Sequence, residues 1–109
     1  MDFFMDAVFN EKANRWEVSL AGEVDIFSSP DMKAKLNALL QDRQADLHID
    51  CGKLEYLDST ALGSLVGVLK NIKAYGGEMH LSHIRPNLLK LFRITNLDKV
   101  FVIEGDDHD

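Results

Sequence analysis

The sequence of 109 residues contains a single cysteine, Cys51, so no internal disulfide can form. It is also poor in positive charge, because 12 lysine and arginine residues stand against 18 aspartate and glutamate residues, a net charge of −6. Binding to nucleic acid or to an anionic membrane needs a basic surface, so we expect neither partner. These shortages favour a protein of a reducing cytoplasm that works on a soluble partner.

Long hydrophobic runs are also missing. The stretch Met1–Asp6 has no basic residue and no extended apolar segment, so we expect no signal peptide and no transmembrane helix. Hydrophobic residues make up 46% of the chain and charged residues 28%, which is typical of a folded globular protein. The length predicts one domain over residues 1–109, with an acidic tail at about residues 104–109.

The usual signatures of catalysis and cofactor binding are absent from the sequence. Ser59 lacks the flanking glycines of a nucleophile elbow, and Cys51 has no Cys-x-x-Cys partner. Neither the phosphate-binding pattern Gly-x-x-x-x-Gly-Lys nor the dinucleotide pattern Gly-x-Gly-x-x-Gly occurs. We therefore predict no catalytic residue and no cofactor, and a protein that is not an enzyme.

Histidines give no metal pattern along the sequence. His80 and His83 are three residues apart on a predicted strand, which points their side chains to opposite faces. The tail residues Asp106–Asp109 include His108, but a flexible tail does not hold ligands in place beforehand. We predict no metal site.

Hydrophobic periodicity predicts five strands and three helices. The strands are expected at Phe4–Phe9, Trp16–Ala21, Leu47–Cys51, Met79–Ile84 and Val100–Ile103, with Gly22 and Gly52 ending the second and third. The helices are expected from the N-cap Ser29 to about Arg43, from Asp58 or Ser59 to Tyr75, and from Arg85 to about Asn96. The element order ββαβαβαβ predicts an α/β fold with a mixed, mostly parallel sheet packed by helices.

The second helix carries two glycines, Gly63 and Gly67, each of which costs roughly 1 kcal/mol relative to alanine. They allow either close packing against a neighbouring element or the close approach of another protein. Because the core face is assigned to other residues, we favour a partner surface; those residues are Leu62, Leu65, Val66, Leu69 and Ile72.

Two polar residues have open interpretations at this stage. Ser59 can cap the second helix, or it can accept a phosphoryl group, since a helix N-terminus favours bound phosphate. Asp25 can be a loop or helix-entry residue, or it can belong to a functional site. Spacing alone favours the cap at Ser59, and it does not decide between the alternatives at Asp25.

Three stretches resemble the anti-sigma-factor antagonists of the STAS domain family: LAGEVDIFSSP, LEYLDSTALGSLVGVLKNIKAYGG and LFRITNLDKVFVI. The resemblance covers nearly the whole chain and keeps the order of elements. It implies a STAS fold and a switch protein whose partners are an anti-sigma factor with serine kinase activity and a serine phosphatase. The unphosphorylated form would bind the anti-sigma factor and release the sigma factor, acting as a monomer or weak dimer.

Residue by residue, the resemblance makes Ser59 the phosphorylated residue and Thr60 the second hydroxyl position. Asp58 would shape the loop, and Asp25 matches the aspartate that lies beside the acceptor. Ala61 departs from the glycine that many members carry. Other readings remain open, namely a small enzyme or ligand carrier, a scaffold that never carries phosphate, and a STAS module of another signalling or transport system.

Overall fold

The computed structural model describes residues 2–105. Glu104, where the acidic tail was predicted to begin, belongs to the last strand, and residues 106–109 of the predicted tail lie outside the described residues. A five-stranded sheet has the strand order β1-β2-β3-β4-β5. Its strands are β1 (Phe3–Asn10), β2 (Arg15–Val24), β3 (Asp46–Leu57), β4 (Met79–Ser82) and β5 (Val102–Glu104). The helices are α1 (Ser29–Asp42), α2 (Ser59–Lys73) and α3 (Pro86–Ile94), followed by a 3₁₀ turn at Leu97–Lys99.

Strand β1 pairs with β2 in the antiparallel sense, and the other three pairings are parallel. This confirms the prediction of an α/β fold with a mixed, mostly parallel sheet and the order ββαβαβαβ. Parallel neighbours need a crossover between them, and the three helices supply these crossovers. None of the helices within residues 2–105 combines the length and the apolar character needed to cross a bilayer.

The two faces of the sheet differ because side chains alternate along each strand. One face of β2 and β3 buries residues such as Val18, Leu20, Leu47 and Ile49 in the core. Helices α1, α2 and α3 bury their apolar sides in the same core, among them Met32, Leu36, Leu65, Ile72, Leu88 and Phe92. The opposite face of β2, β3 and β4 carries half-buried and exposed polar residues, and we call it the open face.

The prediction that Gly22 and Gly52 end their strands is wrong. Gly22 has φ of +89°, and an added Cβ would collide with the carbonyl oxygen of Asp2, so glycine lets β1 approach while β2 continues. Near Gly52 the pairing shifts, because Ser19 pairs with Asp50 whereas Ala21 pairs with Lys53. An extra residue on β3 is therefore absorbed as a bulge, and the strand runs on to Leu57.

Several predicted boundaries and one core assignment also need correction. The N-cap of α1 is Ser28, and Ser29 is helical and only 1% exposed. In α2 the core includes Ala61 and Val68, whereas Val66 is only partly buried against it. Strand β4 ends at Ser82 because His83 has φ of +58°, which does not continue an extended strand.

The chain after α3 also differs from its prediction. Helix α3 ends at Ile94, and the turn Leu97–Lys99 delays the last strand until Val102. Phe101, just before that strand, is buried and packs edge-to-face on Phe92 with ring centroids 5.6 Å apart. This contact fixes the last strand against the helix layer.

Candidate functional site

The carboxyl ends of β2 and β3 bring two polar segments together. Val24 and Leu57 are the last paired residues of these neighbouring strands, and the Asp58 N–H donates to the Val24 carbonyl at 3.3 Å. Asp25 directly follows Val24, and Asp58 directly follows Leu57. The loop between β2 and α1 therefore lies beside the start of α2, as expected where parallel strands end at one edge of a sheet.

Asp58, not Ser59, caps helix α2. The Asp58 Oδ1 atom accepts a hydrogen bond from the Ala61 N–H at 2.8 Å, and its carbonyl accepts from the Leu62 N–H at 2.9 Å. Ser59 is the first residue with helical geometry. The interpretation of Ser59 as the N-cap is therefore wrong, and its hydroxyl is not needed to satisfy the backbone.

Ser59 and Thr60 are both exposed on the first turn of α2. Within residues 2–105 the Ser59 hydroxyl takes part in no hydrogen bond. The free N–H groups of a first helical turn carry about half a positive charge, which favours an anion there. Ser59 is thus accessible to another protein and sits where a phosphate would be locally stabilised.

Asp25 organises the loop that precedes α1. Its Oδ1 atom accepts hydrogen bonds from the Phe27 N–H at 2.9 Å, the Ser28 N–H at 3.0 Å and the Ser28 hydroxyl at 3.1 Å. These bonds, led by that of the Ser28 N–H, hold the pKa of Asp25 below its ordinary value. The carboxylate is therefore charged at neutral pH and adds negative charge beside the α2 start.

Three exposed apolar side chains lie around this edge, and sequence reasoning missed them. Phe27 is 89% exposed and Ile26 56% exposed in the β2–α1 loop, while Tyr56 is 47% exposed one residue before the end of β3. Large exposed aromatic residues are typical anchors of protein interfaces. Two bulky apolar residues inside a short polar loop, between Asp25 and Ser28, were the signal for this surface.

The two glycines of α2 have different surroundings. Gly63 is exposed, and a Cβ added there would meet no atom within 4 Å. At Gly67 a Cβ would lie 2.9 Å from the Nζ atom of Lys33 on α1, so this glycine packs against the neighbouring helix. Gly63 is therefore exposed, whereas Gly67 is half-buried against α1. The partner-binding role of both glycines stays a prediction.

Within the described residues, this edge carries an accessible hydroxyl but no activated nucleophile. The Cys51 thiol is buried, and burial raises its pKa to about 12, so it is not a thiolate nucleophile. Among residues 2–105, none supplies the Ser59 hydroxyl with the hydrogen-bonded base that a serine nucleophile requires. The edge instead presents an accessible hydroxyl, two aspartates and apolar anchors.

Known proteins share both the sequence pattern and the fold. A family model described as "Mlab, STAS domain" matches residues 7–104. The anti-sigma-B factor antagonist of Bacillus subtilis (strain 168) is 38% identical over 105 residues, which cover 96% of this chain and 94% of that protein.

Among solved structures, an anti-sigma factor antagonist from Mycobacterium paratuberculosis superposes with a TM-score of 0.82 at 22% identity, covering 97% of this chain and 88% of that one. The anti-sigma factor antagonist SpoIIAA superposes in its unphosphorylated form with a TM-score of 0.72, covering 95% and 88% of the two chains. In its phosphorylated form the TM-score is 0.69, with 97% and 94% covered, and both forms are 21% identical. At these identities the superpositions show a shared fold.

Proposed function

The chain belongs to the STAS domain family, and on that premise we propose that it is an anti-sigma factor antagonist switched by phosphorylation of Ser59. The observation that carries this proposal is the exposed Ser59 on the first turn of α2, beside the loop of Asp25. The relative at 38% identity is named as an anti-sigma-B factor antagonist, which supports the same function.

In the proposed mechanism the unphosphorylated protein docks on an anti-sigma factor that is also a serine kinase. The docking surface contains the Asp25 loop with Ile26 and Phe27, the start of α2 at Asp58, Ser59 and Thr60, and the adjoining glycine side at Gly63 and Gly67. Docking occupies the anti-sigma factor and releases the sigma factor. The kinase then transfers the γ-phosphoryl group of ATP to the Ser59 hydroxyl: the new O–P bond replaces the bond to the β,γ-bridging oxygen, ADP leaves, and the hydroxyl proton is released.

Phosphorylation ends binding by adding charge, without refolding the protein. A phosphoserine carries about −1.5 to −2 charges at neutral pH. The positive end of α2 stabilises part of that charge, while the carboxylates of Asp25 and Asp58 oppose it. In an interface the dianion would be desolvated beside two like charges, so the cost falls on the complex.

These roles set the other expectations for the protein. It catalyses no reaction itself, and a serine phosphatase restores the binding form. We expect it to work in the cytoplasm, together with these partners. We also expect it to act as a monomer or weak dimer. Asp25 and Thr60 contribute to recognition by the kinase.

The proposal is tested by mixing the purified chain with the serine-kinase anti-sigma factor of the same organism and Mg-ATP, and by measuring intact mass and sigma-factor release. We expect one added phosphate, mapped to Ser59, and release of sigma factor only by the unphosphorylated chain. Phosphate mapped to Thr60, Ser28 or Ser64 would contradict the site. Failure of the unphosphorylated chain to displace sigma factor would contradict the function.

A further inference from the structure

A second cluster of chemically capable side chains lies on the open face of the sheet, at the amino ends of β3 and β4. The parallel register pairs His48 with His80, and their rings stack with centroids 4.1 Å apart and planes 10° apart. Asp46 precedes His48 by two residues, so it shares this face. One ligand atom each from Asp46, His48 and His80 lies within 4.8 Å of the other two.

We propose that Asp46, His48 and His80 form a binding site for a divalent transition-metal ion of the zinc class. Two imidazoles and a carboxylate are ligands that Zn²⁺ accepts, whereas Mg²⁺ and Ca²⁺ prefer oxygen alone. Two nitrogens that each lie about 2.1 Å from one ion are at most about 4.2 Å apart. Because the nitrogen lone pair lies in the ring plane, the two stacked rings must rotate about their side-chain bonds to face a common ion, and the paired strands hold their backbones at the required spacing.

The surroundings of His80 match those of a metal-binding histidine. Its Nδ1 atom lies 2.7 Å from Glu104 Oε2, and its Nε2 atom lies 2.9 Å from Glu78 Oε1. A ligating histidine usually donates its second ring N–H to a carboxylate, which fixes the ring and its tautomer. Glu104 can do this through Nδ1, which leaves Nε2 for the ion, and Glu78 Oε1 lies on that side, where it can serve as a fourth ligand.

The other two ligands are also held in place. The Glu78 N–H donates to Asp46 Oδ1 at 2.9 Å, which orients that carboxylate. The His48 ring is half-buried and stacks on the His80 ring, so contact with its neighbour restrains it on this face.

The charge balance favours a cation. Asp46, Glu78 and Glu104 bring three carboxylates to two imidazoles. Arg15 is a cationic residue near this cluster, because it pairs with Asp46 in the register of β2 and β3. Its Nε atom pairs with Glu17 Oε2 at 3.0 Å, so its charge is largely offset.

This site is separate from the Ser59 edge. His48 lies nine residues before Leu57 on β3, a distance of roughly 30 Å along an extended strand. A metal ion here would join β3 to β4 and, through Glu104, to the edge strand β5. We infer that it stabilises the sheet edge independently of phosphorylation, because a ligand of the folded state raises its stability.

The test uses the full-length chain, free of any purification tag, titrated with ZnCl₂ in calorimetry and in thermal unfolding. We expect one bound ion per chain and a higher Tm. His48→Gln and His80→Gln should each weaken binding more than about tenfold, and Glu104→Gln about tenfold, the scale of lost ligand-orienting partners. His83→Gln and His108→Gln are matched controls, since His83 bonds to Asp50 and His108 belongs to the sequence tail.

A second measurement needs no variant. In the parent protein, Zn²⁺ should shift the imidazole NMR signals of His48 and His80 and leave those of His83 in place. Absence of saturable binding would overturn the proposal. Binding that survives His48→Gln and His80→Gln but is lost in His108→Gln would overturn it as well, by assigning the ion to the tail.

Discussion

Helices α1 and α2 begin at neighbouring strand ends with similar residues, yet their serines are used differently. At α1, the Ser28 hydroxyl bonds to Asp25, and Ser29 is buried. At α2, Asp58 alone caps the helix, and Ser59 is exposed.

Under the proposed function, this difference explains why Ser59 is the serine that is phosphorylated. A hydroxyl that closes a loop or fills the core must break native contacts before a kinase can reach it. A hydroxyl beside an aspartate cap has no structural task, so it can be modified at little cost to the fold. Both helices have serine at their start. The sites differ in whether the hydroxyl is bonded or buried, as at α1, or exposed, as at α2.

The largest expected effect is on phosphorylation itself, and it tests the difference between Ser59 and Ser28. Ser59→Ala should abolish phosphate transfer by the kinase, because the only exposed serine of the α2 start is lost. The measurement is intact mass after incubation with the kinase and Mg-ATP. Ser28→Ala is the matched control at the other helix, and it should still gain one phosphate; loss of the modification in both variants would remove the distinction.

Partner binding should change next most. Ser59→Asp places a permanent charge beside Asp25 and Asp58, and we expect it to bind the anti-sigma factor at least about tenfold more weakly, about 1.4 kcal/mol. Its circular dichroism and Tm should stay close to those of the parent, since Ser59 makes no structural bond. Calorimetry against the partner checks this, and equal affinities of the two proteins would rule out the switch.

The cap itself should give a smaller effect, seen in stability. Asp58→Ala leaves the Ala61 N–H without its acceptor, so we expect a loss of about 1 kcal/mol in the free energy of unfolding. Asp58→Asn keeps an acceptor and should lose much less. Ser59→Ala should change the free energy of unfolding by under about 0.5 kcal/mol in the same denaturant titration. A loss as large as that of Asp58→Ala would show that Ser59 contributes to the cap.

Asp25 gives the smallest effect, visible as a pH dependence. Because its pKa is lowered in the fold, its ionised form contributes stability above the ordinary value of 3.8, and this contribution fades as pH falls through the folded pKa. Asp25→Asn keeps an oxygen acceptor but does not titrate. The stability difference between parent and variant should therefore shrink on acidification below pH 3.8, and a difference that stays constant down to the folded pKa would contradict the assignment.

The order of elements and the position of Ser59 could be predicted from the sequence because periodicity and a long family motif are local signals. The continuation of β2 and β3 past Gly22 and Gly52 could not. It depends on Asp2, which lies just before β1 and against Gly22, and on a register shift between β2 and β3. Glycine permits a turn or a bulge, and local sequence does not distinguish them.

The candidate sites could also be predicted from the sequence only in part. Asp25 and Asp58 could be brought together by reasoning about parallel strand ends, whereas the exposure of Ile26 and Phe27 depends on the path of the loop. Likewise, the sequence pattern relates His80 to His83, which lies beyond the end of β4. The neighbour of His80 is His48, 32 residues earlier in the chain, and only the β3–β4 register reveals it.

The aspartate cap of α2 also has a consequence for the divergence of such proteins. Since the helix is capped by residue 58, a single substitution at residue 59 would remove the proposed switch without unfolding the domain. An alanine there would yield a lineage whose antagonist is always active, and an acidic residue one whose antagonist is always silent. Regulation could thus be gained or lost within a gene family while selection for a stable fold stays the same.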